Sequence, residues 1–310
     1  MVHRTQLLLD QVDAYQRVGQ WNSALELCNK VFRESWGSRR LDDLIEVVLK
    51  TAFLYSAKGE RVLALEHFEL TLAIAEQVQD SHREGRALNG LGVMHQGAGE
   101  IDIAKNFYSR ARVAARNAGD NLTGGDVSVN LGILANIRGE FADALDQYKK
   151  ALESYTRVGH RNRIARVLNN MGMLYTDLGE FEEAEDALER GLHISEAVQD
   201  LLTEGIIQAN RAELFVATNR LQEARSCCDE AFEVASKIDE PDLMTDVLKC
   251  YGIVYRHTGK PHLAESYLRQ AINMAAERGN PLLEAEATRE LSLVFRSDDR
   301  NRDSLHALYR

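Results

Sequence analysis

Residues 161–200 read RNRIARVLNNMGMLYTDLGEFEEAEDALERGLHISEAVQD, and residues 121–160 read NLTGGDVSVNLGILANIRGEFADALDQYKKALESYTRVGH. Laid over one another without a gap, they match Asn130 with Asn170, Gly132 with Gly172, Gly139 with Gly179 and Ala144 with Ala184. Working outward, the same 40-residue register runs along the whole chain. Alanine stands at 24, 64, 104, 144, 184, 224 and 264, and four residues after each come Cys28, Phe68, Tyr108, Tyr148, Leu188, Cys228 and Leu268. Five residues before each alanine stands a turn-former: Gly19, Gly59, Gly99, Gly139, Gly179, Asn219 or Gly259. Gly92, Gly132, Gly172 and Gly252 form a further column, in which Ala52, Ala212 and Ser292 are small substitutes. Ten of the 21 glycines thus occupy two repeat positions, which makes their role architectural.

Each unit reads as two antiparallel helices. Over 82–97, Ala87, Leu88, Leu91, Gly92 and His95 keep one-face helical spacing, and over 101–117 Ile101, Ala104, Phe107, Tyr108, Ala111 and Ala115 do the same. Gly99 between them suits a helix C-terminus, because glycine tolerates positive φ. Asp80, Asp120, Asp200 and Asn280 are candidate N-caps at the other boundary, with Ser81 and Glu84 as an overlapping capping box. Pro241, Pro261 and Pro281 all fall at predicted helix starts, where a missing N–H costs little. A helix of about 16 residues is roughly 24 Å long and cannot bury its apolar stripe alone, so stacked pairs must supply one another's core. The expectation is an all-α solenoid in one domain, 1–310, with units of about 1–40, 41–80, 81–120, 121–160, 161–200, 201–240 and 241–280 and an incomplete 281–310.

Composition narrows the function classes. The chain has 37 basic and 48 acidic residues, a net charge of −11, 45% hydrophobic residues and only three prolines. This is an ordered, helix-rich composition, and its acidity opposes a nucleic-acid role. Arg157, His160, Arg161, Arg163 and Arg166 form the densest basic cluster, read as a solvated inter-unit loop or a local anion contact. Cys28, Cys227, Cys228 and Cys250 show no C-x-x-C spacing, so neither a disulfide framework nor a zinc site is indicated. Vicinal Cys227 and Cys228 could form a redox-active pair, but Cys228 occupies the core register and the neighbouring position faces elsewhere, so packing is the expected role. No window has the roughly 18 apolar residues of a membrane span, and the N-terminus is unlike a signal peptide; a cytoplasmic location is expected.

Leu168-x2-Met171-Gly172-x2-Tyr175 followed by Ala184-x3-Leu188 resembles the tetratricopeptide pattern W-x2-L-G-x2-Y…A-x3-F. Leu88-x2-Leu91-Gly92-x2-His95 with Ala104-x3-Tyr108, and Leu248-x2-Tyr251-Gly252-x2-Tyr255 with Ala264-x3-Leu268, repeat it. The resemblance covers nearly the whole chain, with two departures: the period is 40 rather than 34, and continuing helix such as Arg116-Asn117-Ala118 replaces the usual terminal proline. Gly119-Asp120 and Glu84-Gly85-Arg86-Ala87-Leu88 are similar to phrases in the long repeats of bacterial maltose-activator-type regulators and animal spindle-orientation adaptors. HEAT-type repeats share the period but not this glycine and alanine pattern. The resemblance implies a right-handed superhelical solenoid of about 7.5 repeats, a non-catalytic scaffold whose ligands lie along the inner surface.

Carried over position by position, that surface includes Arg86, Asn89, Asn130, Ile133, Asn136, Arg166, Asn169, Asn170, Met173, Asn210 and Glu213. Asn130, Asn170 and Asn210 lie 40 apart and are expected to stack as a ladder whose amides pair with an extended peptide backbone; the alternative is a repeat-consensus residue satisfied by neighbouring helices. Arg86, Arg166 and Lys249 favour an acidic segment, against Asp126, Glu213 and Asp246 on the same surface. The lysine-and-asparagine clamp of chaperone-tail receptors is incomplete, since Gly90 precedes Asn130 in its column and Ile253 follows Lys249. His257 and His262 carry no H-E-x-x-H pattern, and Gly90-Leu91-Gly92 follows no strand, so no catalytic residue, metal or cofactor is expected. The expected partner is a protein or peptide segment, with neither nucleic acid nor membrane. The expected role is the sensor or interaction region of a larger signalling or transcription-regulating protein. A self-assembling scaffold, docking through an unfinished last unit with Leu305, Leu308 and Tyr309, and a hydrolase on a helical-repeat fold are the alternatives.

Overall fold

The computed structural model describes residues 2–17, 19–37 and 40–297, and the chain divides into two compact units, Met1–Val158 and Gly159–Arg310. Among the described residues it forms fifteen α-helices and no strand. The first unit holds α1 (Val2–Arg17), α2 (Trp21–Gly37), α3 (Leu41–Ala57), α4 (Arg61–Val78), α5 (Ser81–Gly97), α6 (Ile101–Ala118), α7 (Asn121–Ile137) and α8 (Phe141–Val158). The second holds α9 (Arg161–Leu178), α10 (Phe181–Ala197), α11 (Leu201–Ala217), α12 (Leu221–Ile238), α13 (Pro241–His257), α14 (Pro261–Arg278) and α15 (Pro281–Ser297). The helix expected after residue 300, with Leu305, Leu308 and Tyr309, lies outside the described residues.

Chemistry local to each boundary makes these hairpins. Gly99 takes φ +75° after α5, and its N–H and that of Glu100 donate back to the Gln96 and His95 carbonyls at 2.9 and 3.0 Å. Two carbonyls orphaned at the helix end are thereby satisfied. Asn219 takes the same left-handed conformation at φ +59°. The side chains of Asp80, Asp120, Asp200 and Asn280 accept from the N–H groups of Arg83, Thr123, Thr203 and Leu283 at 3.0–3.3 Å. Asp80 is therefore the cap of α5, and Ser81 is its first helical residue rather than a capping-box head. The three prolines open α13, α14 and α15.

The alanine column is buried completely at every occurrence from Ala24 to Ala264. A Cβ on Gly132 would stand 2.6 Å from the Tyr148 ring, and one on Gly172 would stand 2.5 Å from Leu188. The small residue of the first helix is thus the seat for the large residue of the second. Gly90 and Gly92 have the same explanation, one against Phe68 and the other against Tyr108, and no phosphate loop is formed there. Cys227 and Cys228 are 4% and 0% exposed and belong to one buried cluster with Leu214 and Phe215, which agrees with the packing role expected of them.

Within each unit the odd helices touch one another, α3 with α5 and α5 with α7, then α9 with α11, α11 with α13 and α13 with α15. The even helices reach the next pair through its odd helix, α4 to α5 and α6 to α7, then α10 to α11, α12 to α13 and α14 to α15. One face of each unit is consequently lined by odd helices alone.

Candidate functional site

All eleven expected site residues lie on the odd helices α5, α7, α9 and α11. Burial pushes the Asp177 carboxyl of α9 above its ordinary value, and the charge of Arg289 on α15 pulls against that push.

The asparagines form two separate amide pairs. Asn130 Nδ2 donates to Asn89 Oδ1 at 3.0 Å, joining α7 to α5, and Asn210 Nδ2 donates to Asn169 Oδ1 at 2.7 Å, joining α11 to α9. Both bonds span 41 residues. The expected ladder on a 40-residue spacing is therefore corrected within the second unit, where Asn210 turns to Asn169 and not to Asn170. Helix packing staggers successive odd helices by about one position, so the diagonal neighbour is the nearer one. Each pair spends one donor and one acceptor; the Asn89 and Asn169 amino groups and the Asn130 and Asn210 carbonyls are not among the buried atoms lacking a partner. Ile133, Asn136, Asn170 and Met173 stand half-buried beside the pairs.

The charged members are distributed differently from expectation. Arg86 Nη1 lies 3.2 Å from Glu46 Oε1, and Arg83 Nε lies 3.1 Å from Glu46 Oε2, tying α5 to α3. Burial raises the Glu46 pKa, but the Arg86 and Arg83 charges overcome it and hold the carboxyl below the usual range. Lys249 Nζ sits among three carboxylates, 2.9 Å from Glu286, 3.2 Å from Asp246 and 3.4 Å from Glu213. Burial pushes Glu213 and Asp246 up, against the pull of Lys249. Lys249 is itself penalised by burial, yet Glu213 and Asp246 hold its ammonium charged. Arg86 and Lys249 are therefore committed within the protein, whereas Arg166 is exposed on α9. Arg163, one turn earlier, is lowered by burial and by the Arg166 charge. Reading the sequence for ligand contacts overlooked Glu46 and Glu286 as counter-charges; the signal was their shared column with Arg86 and Asp246 at 40-residue spacing.

Burial raises the Cys227 thiol to about 11 and pushes Cys228 and Cys250 higher than a free thiol, so all three are neutral at pH 7. Among the described residues no group of three or more His, Cys, Asp or Glu side chains could hold a metal ion. No helix among them is long and apolar enough to cross a membrane.

The paired helices and seated alanines define a helical-repeat protein. Residues 126–197 and 203–277 match the tetratricopeptide repeat family, and these segments carry tetratricopeptide repeats. No curated protein matches the chain. Among solved structures it is similar to the apo quorum sensor NprR from B. thuringiensis, at 16% identity and TM-score 0.74, covering 98% of this chain and 85% of that one. It is also similar to the Rap conjugation gene regulator of plasmid pLS20 in complex with the Phr* peptide, at 15% identity and TM-score 0.71, covering 99% and 93%. A third is a signal-transduction ATPase with a tetratricopeptide repeat sensor from Pyrococcus horikoshii, at 15% identity and TM-score 0.70, covering 98% of this chain and 47% of that one. These likenesses establish a shared fold.

Proposed function

We propose that the chain is a non-catalytic scaffold in which the odd-helix face of each unit binds an extended protein or peptide segment, as the sensor or interaction region of a signalling or transcription-regulating protein. The observation that carries this reading is the pair of amide bridges, Asn89 with Asn130 and Asn169 with Asn210. Each bridge holds two side-chain amides in fixed orientation and leaves a donor beside an acceptor, the pattern a peptide bond presents in complement. Fixing them beforehand lowers the entropy lost on binding. The pLS20 Rap regulator, which shares the fold, was captured with a peptide, and the P. horikoshii ATPase uses such repeats as a sensor. Exposed Arg166 and its neighbour Arg163 favour an acidic residue in the segment.

The test is selection from a displayed random peptide library, followed by titration of an enriched peptide. Asn130→Ala combined with Asn210→Ala is expected to weaken it at least tenfold with little change in Tm. Equal binding by the double variant, or enrichment of no peptide, would reject the odd-helix face as the site.

A further inference from the structure

Two stripes of α7 have different destinations. Asn130 and Ile133 belong to the odd-helix face, whereas Leu131, Leu134 and Ala135 fall on another side of the helix and are buried. Ala135 occupies a column that holds Tyr, His or Phe in every other repeat. Its methyl group leaves space that a ring would fill, and a cleft of about 220 Å³ opens there between α6 and α8, both of which pack on α7.

The three sides of the cleft differ in chemistry. Lys105 and Arg112, two turns apart on α6, put cations on one wall. Glu140 just before α8 and Asp143 in its first turn put carboxylates on the other, and Leu131, Leu134 and Ala135 form an apolar floor. Arg138, at the same cleft, is taken by Asp102. Among the described residues none of the other four charges makes an ion pair or a side-chain hydrogen bond. Two free cations thus face two free carboxylates, and the sum is zero. A simple anion or cation in the cleft would be attracted by one wall and repelled by the other, over distances that salt does not fully screen. A molecule carrying both charges collects both attractions, and its apolar part gains from the floor. An apolar cavity of about 150 Å³ takes benzene, so this cleft has room for one small molecule. A helix, about 10 Å across, does not enter it, and a mid-chain peptide segment lacks the two terminal charges.

We propose that this cleft binds a small zwitterion with an apolar body, a free amino acid or a dipeptide. Its carboxylate meets Lys105 and Arg112, its ammonium meets Glu140 and Asp143, and its side chain lies on Leu131, Leu134 and Ala135. The site opens between even helices, uses the other stripe of α7, and is separate from the odd-helix peptide face.

The experiment titrates the full chain with L-leucine and leucyl-leucine, and with two analogues that each lack one charge, N-acetyl-L-leucine and L-leucinamide. The Leu131, Leu134 and Ala135 methyl resonances are followed throughout. Saturable shifts are expected with a zwitterion, and the tighter of the two names its source, amino acid or dipeptide. Each analogue should bind at least tenfold more weakly than leucine, the value of one charge-assisted contact. Arg112→Gln should narrow the gap between leucine and leucinamide, and Asp143→Asn the gap between leucine and N-acetyl-leucine; both positions are exposed, so the fold is kept. No saturable shift with either zwitterion overturns the site. Binding of N-acetyl-leucine as tight as that of leucine overturns the zwitterion in favour of a simple anion, and equal binding of leucinamide overturns it in favour of a simple cation.

Discussion

Lys249 shows how a residue's task depends on its neighbours. Its column suggested a ligand-facing cation, yet three carboxylates from α11, α13 and α15 surround it. Removing the ammonium strands those charges in a half-buried site, so Lys249→Met should destabilise by about 3 kcal/mol, measurable by urea denaturation. Glu213→Gln should have the opposite character. Because burial raises the Glu213 carboxyl in the folded state, its contribution to stability is complete below the ordinary carboxylate pKa of about 4.3 and is lost as pH rises through the raised value. The variant should therefore be no less stable at pH 7 and should show a flatter decline in stability above pH 4; a steeper decline would sink this account. Asn130 and Asn210 teach the same lesson, since residue type and column were legible but the amide each would meet was not.

Helix ends are where local sequence speaks most directly. Asp120 caps α7 through the Thr123 N–H at 3.0 Å and also lies 2.8 Å from His82 Nδ1. Burial alone would raise this carboxyl, but the Thr123 hydrogen bonds and the His82 charge leave it lowered. Its stabilisation is present above the unfolded value of about 3.9 and lost as pH falls through the lowered one. Asp120→Ala should cost about 1–2 kcal/mol at pH 7, with the difference from wild type shrinking below pH 4. Thermal melts at both pH values check this, and an unchanged gap at acid pH would exclude the cap as its source. Asp80, Asp200 and Asn280 were legible for the same reason: a cap involves only residues three apart. Ser81 was not separable from Asp80 beforehand, because both side chains have the required acceptor and only backbone geometry chooses between them.

Across a stacked unit, stability is a sum over neighbours rather than the property of one central core. Among the described residues of the first unit, α1 packs on α2 and α3, whereas α5 is covered by α3, α4, α6 and α7. Amide exchange should accordingly be faster in α1 than in α5, with α6 and α7 near the α5 value; equal protection of α1 and α5 would mean that the unit unfolds in a single step. The sequence by itself determined the hairpin, its period, the alanine and glycine columns and the buried large residues that pair with them, since each depends on contacts inside one unit repeated along the chain. Only the tertiary structure decided the 41-residue amide pairs and the enclosure of Lys249 by three carboxylates. These arise between successive repeats inside one unit, where the stagger and spacing of packed helices set which side chains meet, and that offset is a property of surfaces in contact rather than of any one repeat.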